Sequence, residues 1–467
     1  MINASPEVTA IDTHARYPLL LMLASSLVWL LISGVLALIS TVQLHTPTFL
    51  SDCALLSHGR VQALHETCFV YGWLANAGLA IGLWILARLG GESLRAGNWI
   101  VVGTLFWNLG LTIGLVGIAT GDATGFPLLQ LPRYVQPLLL VAFGAMAVSG
   151  VLAWSGRRSE MTFVSQWYVF AALFLFPWLF SVAQVTSWVP MRGVVQAIAA
   201  GWFAQGVFTL WLAPLALAAA YYIVPKVTGR ALPSYQFASL SFWTLLVVGG
   251  WTGGRHLIGG PVPAWISTVG IASCSLLVLH YAVVLLNLRG GIAGRGVALR
   301  LISFGLIAYV LGGVADSITS IRHVALVTQF TFVGVAQQQL AFYGAISMIF
   351  FGALYYTIPR LTRRPWASAK LVSGHSILAI IGVALLVVSL GAAGWLQGRA
   401  LLQSEIKFAD IAGVTRPWLL AATAAYALLL LANLMLVVNF FSTVFSASTA
   451  PAEDLFQAPS EMKEAAI

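Results

Sequence analysis

Charge is what this sequence has least of. Only 8% of its 467 residues are Asp, Glu, Lys or Arg, where a soluble domain carries about 25%. With 60% hydrophobic residues and a mean hydropathy of +0.91, there is too little polar side chain to cover a soluble core. The chain reads as an integral membrane protein. Cysteine is nearly absent as well. Cys53, Cys68 and Cys274 stand in no CxxC pair and at no metal-ligand spacing, which excludes a disulfide scaffold and a zinc framework. The formal net charge of +9 is not a nucleic-acid signal, because the basic residues are spread thinly through loops. No nucleic-acid partner is expected. The solvent is the lipid bilayer.

Long apolar runs are what the sequence has in abundance. A crossing helix needs about 20 mainly apolar residues. On that length the chain predicts twelve spans, at 18–43, 62–88, 98–119, 131–154, 163–188, 194–224, 236–257, 264–288, 298–321, 327–358, 371–397 and 417–444. The expected fold is all-α, a polytopic twelve-helix transmembrane bundle forming one membrane domain over 18–444, with an N-terminal segment 1–17 and a C-terminal tail 445–467. No repeat with a period of about 20 to 50 residues is visible, and the gaps leave no room for a soluble domain. The first span is too long for a signal peptide and lacks a basic leader and a small-residue cleavage site.

Loop charge gives the orientation. Arg16 and the loops after even-numbered spans carry Arg88, Arg95, Arg157, Arg158, Lys226, Arg230, Arg289, Arg295, Arg300, Arg360, Arg363, Arg364 and Lys370. The opposite loops carry Arg60, Arg133, Arg192, Arg255, Arg322, Arg399, Lys407 and Arg416. Both termini are therefore expected in the cytoplasm, with the chain in a bacterial inner membrane. The tail, with Glu453, Asp454, Glu461, Lys463 and Glu464, reads as a short solvated end.

Ionisable residues inside a membrane are costly and therefore informative. His65 and Glu66 open the second span, Arg255 and His256 close the seventh, and Asp316 lies inside the ninth with Arg322 and His323 at its outer end. His280 lies in the eighth span and His375 near the inner start of the eleventh. Glu66, Asp316 and Arg322 are candidates for a polar core. The tenth span holds Gln337, Gln338 and Gln339. Residues two apart on a helix point about 200° apart, so Gln337 and Gln339 face nearly opposite sides. An unpaired amide in hydrocarbon costs several kcal/mol, so the plain reading is an interhelical hydrogen-bond cluster.

Several stretches carry a family likeness: GRVQALH ending at His65, GWFAQGVFTLWLAPLALAAAYYIVPK ending at Lys226, PSYQFASLSFWTLL from Pro233, WTGGRHL from Trp251, and AQQQ followed by YYTIPRL ending at Leu361. In this order and spacing the chain resembles subunit I of the haem-copper oxidases, most closely the cbb3-type cytochrome c oxidases, over essentially its whole length. The resemblance implies a terminal oxidase built on six metal-binding histidines. His65 falls on an axial position of the low-spin haem and His256 on one copper position. The other four positions fall on Gln205, Arg255, Gln337 and Gln339, the active-site tyrosine on Gly249 and the ninth-span glutamate on Ala315, next to Asp316. Of the family's two arginines before His65, Arg60 stays and the second is Gln62.

Imidazole is a strong neutral donor to iron and copper. A glutamine amide is a weak one, and arginine has no lone pair and a permanent positive charge. The expectation is therefore a ligand-stripped relative without independent oxidase activity, no catalytic residues and no metal. It would serve as a scaffold beside other membrane subunits, with cytochrome c-type proteins among the candidate partners. Two other readings stand beside it: a redox subunit keeping one haem b on His65, and a proton or solute conduit lined by Asp316, Arg322, Arg255 and the glutamines. Arg255 needs a partner, since an unpaired buried charge is costly; Glu66 and Asp316 are the candidates. Where cofactors are missing, the space must be refilled to near-crystalline density, and Phe203, Trp251, Phe332, Phe342 and Tyr343 are expected to fill it.

Overall fold

Hydrocarbon offers no hydrogen bonds to a backbone, so a chain this apolar satisfies its peptide groups within helices. The computed structural model describes residues 6–446 apart from 159, 190 and 293. The acidic tail residues and Lys463 lie outside the described residues. Twelve main helices follow in order: α1 Pro6–His45, α2 His58–Gly90, α3 Gly97–Thr120, α4 Gln136–Ser155, α5 Val164–Trp188, α6 Gly193–Thr228, α7 Tyr235–Gly249, α8 Ala264–Ile292, α9 Val297–Ser320, α10 Phe332–Thr362, α11 Ala369–Leu401 and α12 Phe408–Phe445. Among the described residues there is no strand.

Eleven of these helices are long and apolar enough to cross a bilayer. The exception is α7, which has 15 helical residues and is prolonged by a tight turn over Thr252–Leu257. The twelve expected spans are therefore all present as helices, the seventh in a shortened form. The helix α1 already begins at Pro6, so the expected N-terminal segment 1–17 is mostly the first turns of the first span. Proline explains part of this, since Pro18 is accommodated inside the helix while Pro6 opens it.

Burial divides the helices into two classes. The central windows of α2, α6 and α10 are 100%, 94% and 94% buried, against 39% to 50% for the other spans. These three form the centre and the rest surround them. All three central helices also carry a wide π-turn: Cys68–Leu74 in α2, Val207–Leu212 in α6 and Leu340–Ser347 in α10. Each lies just beyond His65, Gln205 or Gln339. Such turns insert a residue and are common at functional sites.

Aromatic rings lock the centre. Trp73 Nε1 of α2 donates to Ser347 Oγ of α10 at 2.9 Å, Trp73 stacks on Phe351 with centroids 5.1 Å apart, and Phe69 stacks on Tyr343 at 5.3 Å. Phe203, Phe342 and Tyr343 are buried and Phe332 is partly buried against the core, but Phe342 borders an open cavity of about 430 Å³ rather than closing it, and Trp251 is 62% exposed. The turn that follows α7 points Trp251 away from the bundle, so it does not fill the interior.

That turn is seated by two close backbone approaches. A Cβ on Gly253 would lie 2.6 Å from the Gly201 carbonyl oxygen of α6, and one on Gly270 of α8 would overlap the Arg255 backbone nitrogen. Gly253→Ala and Gly270→Ala are each expected to lower stability by about 1–3 kcal/mol through overpacking. The control is Gly391→Ala, which meets nothing within 4 Å. Thermal unfolding in detergent should show lower midpoints for the first two and an unchanged or higher one for the control.

Candidate functional site

A cavity of about 430 Å³ opens between α6, α8, α9 and α10. Gln205, Arg255, His256, Asp316, Thr319, Gln337 and Gln338 form its polar side; Phe208, Phe342, Tyr281, Tyr309 and small residues of α9 and α10 form the rest. The structure thus gathers Gln205, Arg255, His256, Asp316 and Gln337 around one space.

Arg255 is 8% exposed, and its Nη2 donates to Asp316 Oδ1 in a short ion pair. Of the two acids the sequence offered, Asp316 is the partner. The pair joins the turn after α7 to α9, and Cys274 Sγ of α8 lies 3.8 Å from the other carboxylate oxygen. His256 Nε2 is 3.0 Å from Gln205 Oε1, which accepts its proton, so that nitrogen is engaged as a donor. Gln337 Nε2 donates to Thr319 Oγ1 at 2.7 Å. The expected hydrogen-bond reading of the glutamines holds for Gln337.

His65 lies apart from this space. Its Nδ1 is 3.0 Å from the Ser33 carbonyl oxygen and 2.9 Å from Ser33 Oγ. A carbonyl only accepts, so Nδ1 carries the proton. Its ring packs against Phe69 and Tyr426, with centroids 5.9 and 6.1 Å away. The gap beside it, lined by Tyr343, Leu430 and Asn433 among others, is about 10 Å³.

Glu66 is fully occupied by amides. Gln62 Nε2 donates to Oε1 at 2.8 Å and Gln130 Nε2 to Oε2 at 2.6 Å. Arg322 does not join a polar core. It is exposed and donates to Thr268 Oγ1 at 2.7 Å, because α9 ends at Ser320 and the chain turns outward before the short helix Arg322–Thr328. Gln339 is buried at 7% exposure on the far side of α10 from Gln337.

One polar network was marked in the sequence only by His280. Tyr309 OH lies 2.9 Å from His280 Nε2, and His280 Nδ1 lies 2.8 Å from the Ser241 carbonyl oxygen. The carbonyl again fixes Nδ1 as donor, so Tyr309 donates to Nε2. Tyr221 OH and Tyr168 OH each lie 3.0 Å from Ser241 Oγ. Nearby, Asn287 Oδ1 accepts from the Ser234 backbone N–H at 3.2 Å. The signal that could have found it was the coincidence of His280, Tyr309 and Ser241 on three consecutive spans.

The donor set decides how these residues suit a haem or copper. A haem at His65 would have a correctly protonated imidazole, but Gln339 supplies no comparable second donor and the rings of Phe69, Tyr343 and Tyr426 occupy the slot. At the cavity, Gln205 and His256 bond each other, and Arg255, which the resemblance sets on the third copper position, is a cation held by Asp316. Among the described residues no cluster of three His, Cys, Asp or Glu side chains comes together for a metal. These residues do not fit the family's three metal groups.

The pair is the most exposed point of this arrangement to mutation. Asp316→Leu leaves a buried guanidinium uncompensated and is expected to cost about 3–5 kcal/mol, whereas Arg255→Met combined with Asp316→Leu should recover most of it. A double-mutant cycle on thermal or denaturant unfolding measures the coupling.

The wider likenesses agree with the architecture. Residues 18–428 match the family model described as Cytochrome C and Quinol oxidase polypeptide I. A cytochrome c oxidase subunit 1 homolog of Azorhizobium caulinodans is 24% identical over 449 residues, covering 90% of this chain and 80% of that protein. A cbb3-type cytochrome c oxidase subunit of Stutzerimonas stutzeri is 22% identical over 405 residues, covering 84% and 85%. A cryo-EM structure of a heme-copper terminal oxidase dimer superposes with a TM-score of 0.76 at 13% identity, covering 96% of this chain and 86% of that one, which bears on the fold alone. This polytopic, all-helical membrane chain belongs to the family of cytochrome c and quinol oxidase polypeptide I.

Proposed function

We propose that this chain is an oxidase-type membrane subunit that does not itself reduce oxygen and that acts as a scaffold for other membrane subunits, with cytochrome c-type proteins among its partners. The observation that carries the reading is the Arg255–Asp316 ion pair. Arg255 falls on a copper-ligand position by resemblance to the cbb3-type subunits, and its charge is already satisfied by an acid of the next helix pair. A cation placed there would meet a second cation and no lone pair. The relatives being named as subunits supports a place in a larger assembly. The loop arginines support a bacterial inner membrane with both ends in the cytoplasm.

Purified protein is expected to show no Soret band and no stoichiometric iron or copper. A Soret band that vanishes in His65→Ala would instead establish the one-haem reading.

A second reading, a proton or solute conduit, is favoured by Arg255, Asp316 and Gln337 lining one cavity. On this reading Asp316→Asn should strongly reduce proton flux into liposomes under an imposed gradient. Flux equal to wild type removes it.

A further inference from the structure

The cavity is more than the place where ligand positions were lost. Its volume of about 430 Å³ falls within the roughly 300–1,000 Å³ of small-molecule sites. Its chemistry is graded. Gln329, Gln337, Gln338 and the Arg255–Asp316 pair lie toward the end where Phe330, 85% exposed, forms the rim. Deeper in, Phe208 and Phe342 meet edge to face with centroids 5.8 Å apart. Ala308, Gly312 and Ala341 make a small-residue stretch of the wall, which leaves room beside those rings for a flat ring.

Charge narrows the choice further. The one guanidinium and the one carboxylate of the lining neutralise each other. A ligand bringing net charge would break that pair or stay uncompensated in a low-dielectric space. The amides offer both donors and acceptors. Asp316 keeps 19% of its side chain accessible, and Gln337 uses its amide N–H on Thr319, leaving its carbonyl as an acceptor. These acceptors pair with hydroxyl groups, and the second N–H of the Gln337 amide is left for a carbonyl oxygen.

We propose that this cavity is a binding site for an uncharged, ring-bearing organic molecule with hydroxyl or carbonyl substituents. It enters past Phe330, places its ring beside Phe208, Phe342 and the small-residue stretch, and hydrogen-bonds its oxygens to Gln337 and the Arg255–Asp316 pair. The proposal rests on the reading that no haem or copper is held there.

The test uses the full-length chain in detergent, with equilibrium dialysis of 1-naphthol against matched buffer. Naphthalene removes the oxygen from the probe, and 1-naphthoate adds a negative charge. One saturable site is expected for 1-naphthol, with both comparison probes weaker by about tenfold or more. Gly334 lines the cavity, and a Cβ there meets nothing within 4 Å. Gly334→Trp should therefore abolish saturable binding while unfolding at the wild-type temperature, with Ala341→Phe as a second blocking variant. Gln337→Leu should weaken 1-naphthol by about tenfold. Absence of saturable binding, binding that survives both blocking variants, or 1-naphthoate binding as tightly as 1-naphthol overturns the proposal. Should neither blocking variant fold, a diazirine derivative of 1-naphthol takes their place. Cross-links confined to 201–208, 255–256, 308–316 and 334–342 support the site, and cross-links elsewhere overturn it. Iron and copper are assayed in the same sample. Stoichiometric metal would sink the underlying functional reading, whereas metal-free protein without a naphthol site sinks this proposal alone.

Discussion

A charge inside a bilayer must find its counter-charge inside the protein, and the Arg255–Asp316 pair is where this chain meets that requirement. The pair ties the turn after α7 to α9 across the central cavity. Seating that turn brings it against α6 and α8 so closely that Gly253 and Gly270 have no room for a side chain. The interaction, the glycines and the direction of Trp251 are thus one arrangement. Arg255 reaches inward because the turn is tight, and Trp251, four residues earlier, leaves outward for the same reason.

The polar groups of the interior fall into separate circuits. Glu66 is held by Gln62 and Gln130, His65 by Ser33, and His280 by Ser241 and Tyr309. The third reaches the cavity wall through Tyr309; His65 does not. This separation leaves these side chains satisfied by near neighbours. A polar group with a good local partner has little to gain from leaving it.

Much of this was legible in the chain. The apolar runs gave every helix, because span length is dictated by bilayer thickness. Asp316 and Glu66 stood out as the acids able to meet Arg255, and only the fold could choose between them, since the choice depends on which helices are neighbours. Arg322 was misplaced inward because an arginine at a helix end looks the same in sequence whether the chain turns toward the core or away. The π-turns were invisible, since a single extra residue leaves no compositional mark. The likeness among α2, α6 and α10 was also missed. Their wide turns begin at Cys68, Val207 and Leu340, a spacing far longer than the periods of ordinary repeats.

Those wide turns have a lasting consequence. Removing the extra residue would rotate everything beyond it by about 100°, swinging a fully packed half-helix out of register with all its neighbours. No single substitution can undo that. The helix therefore keeps its offset face when side chains beside the turn are exchanged, and the backbone irregularity limits which residues can meet across the centre.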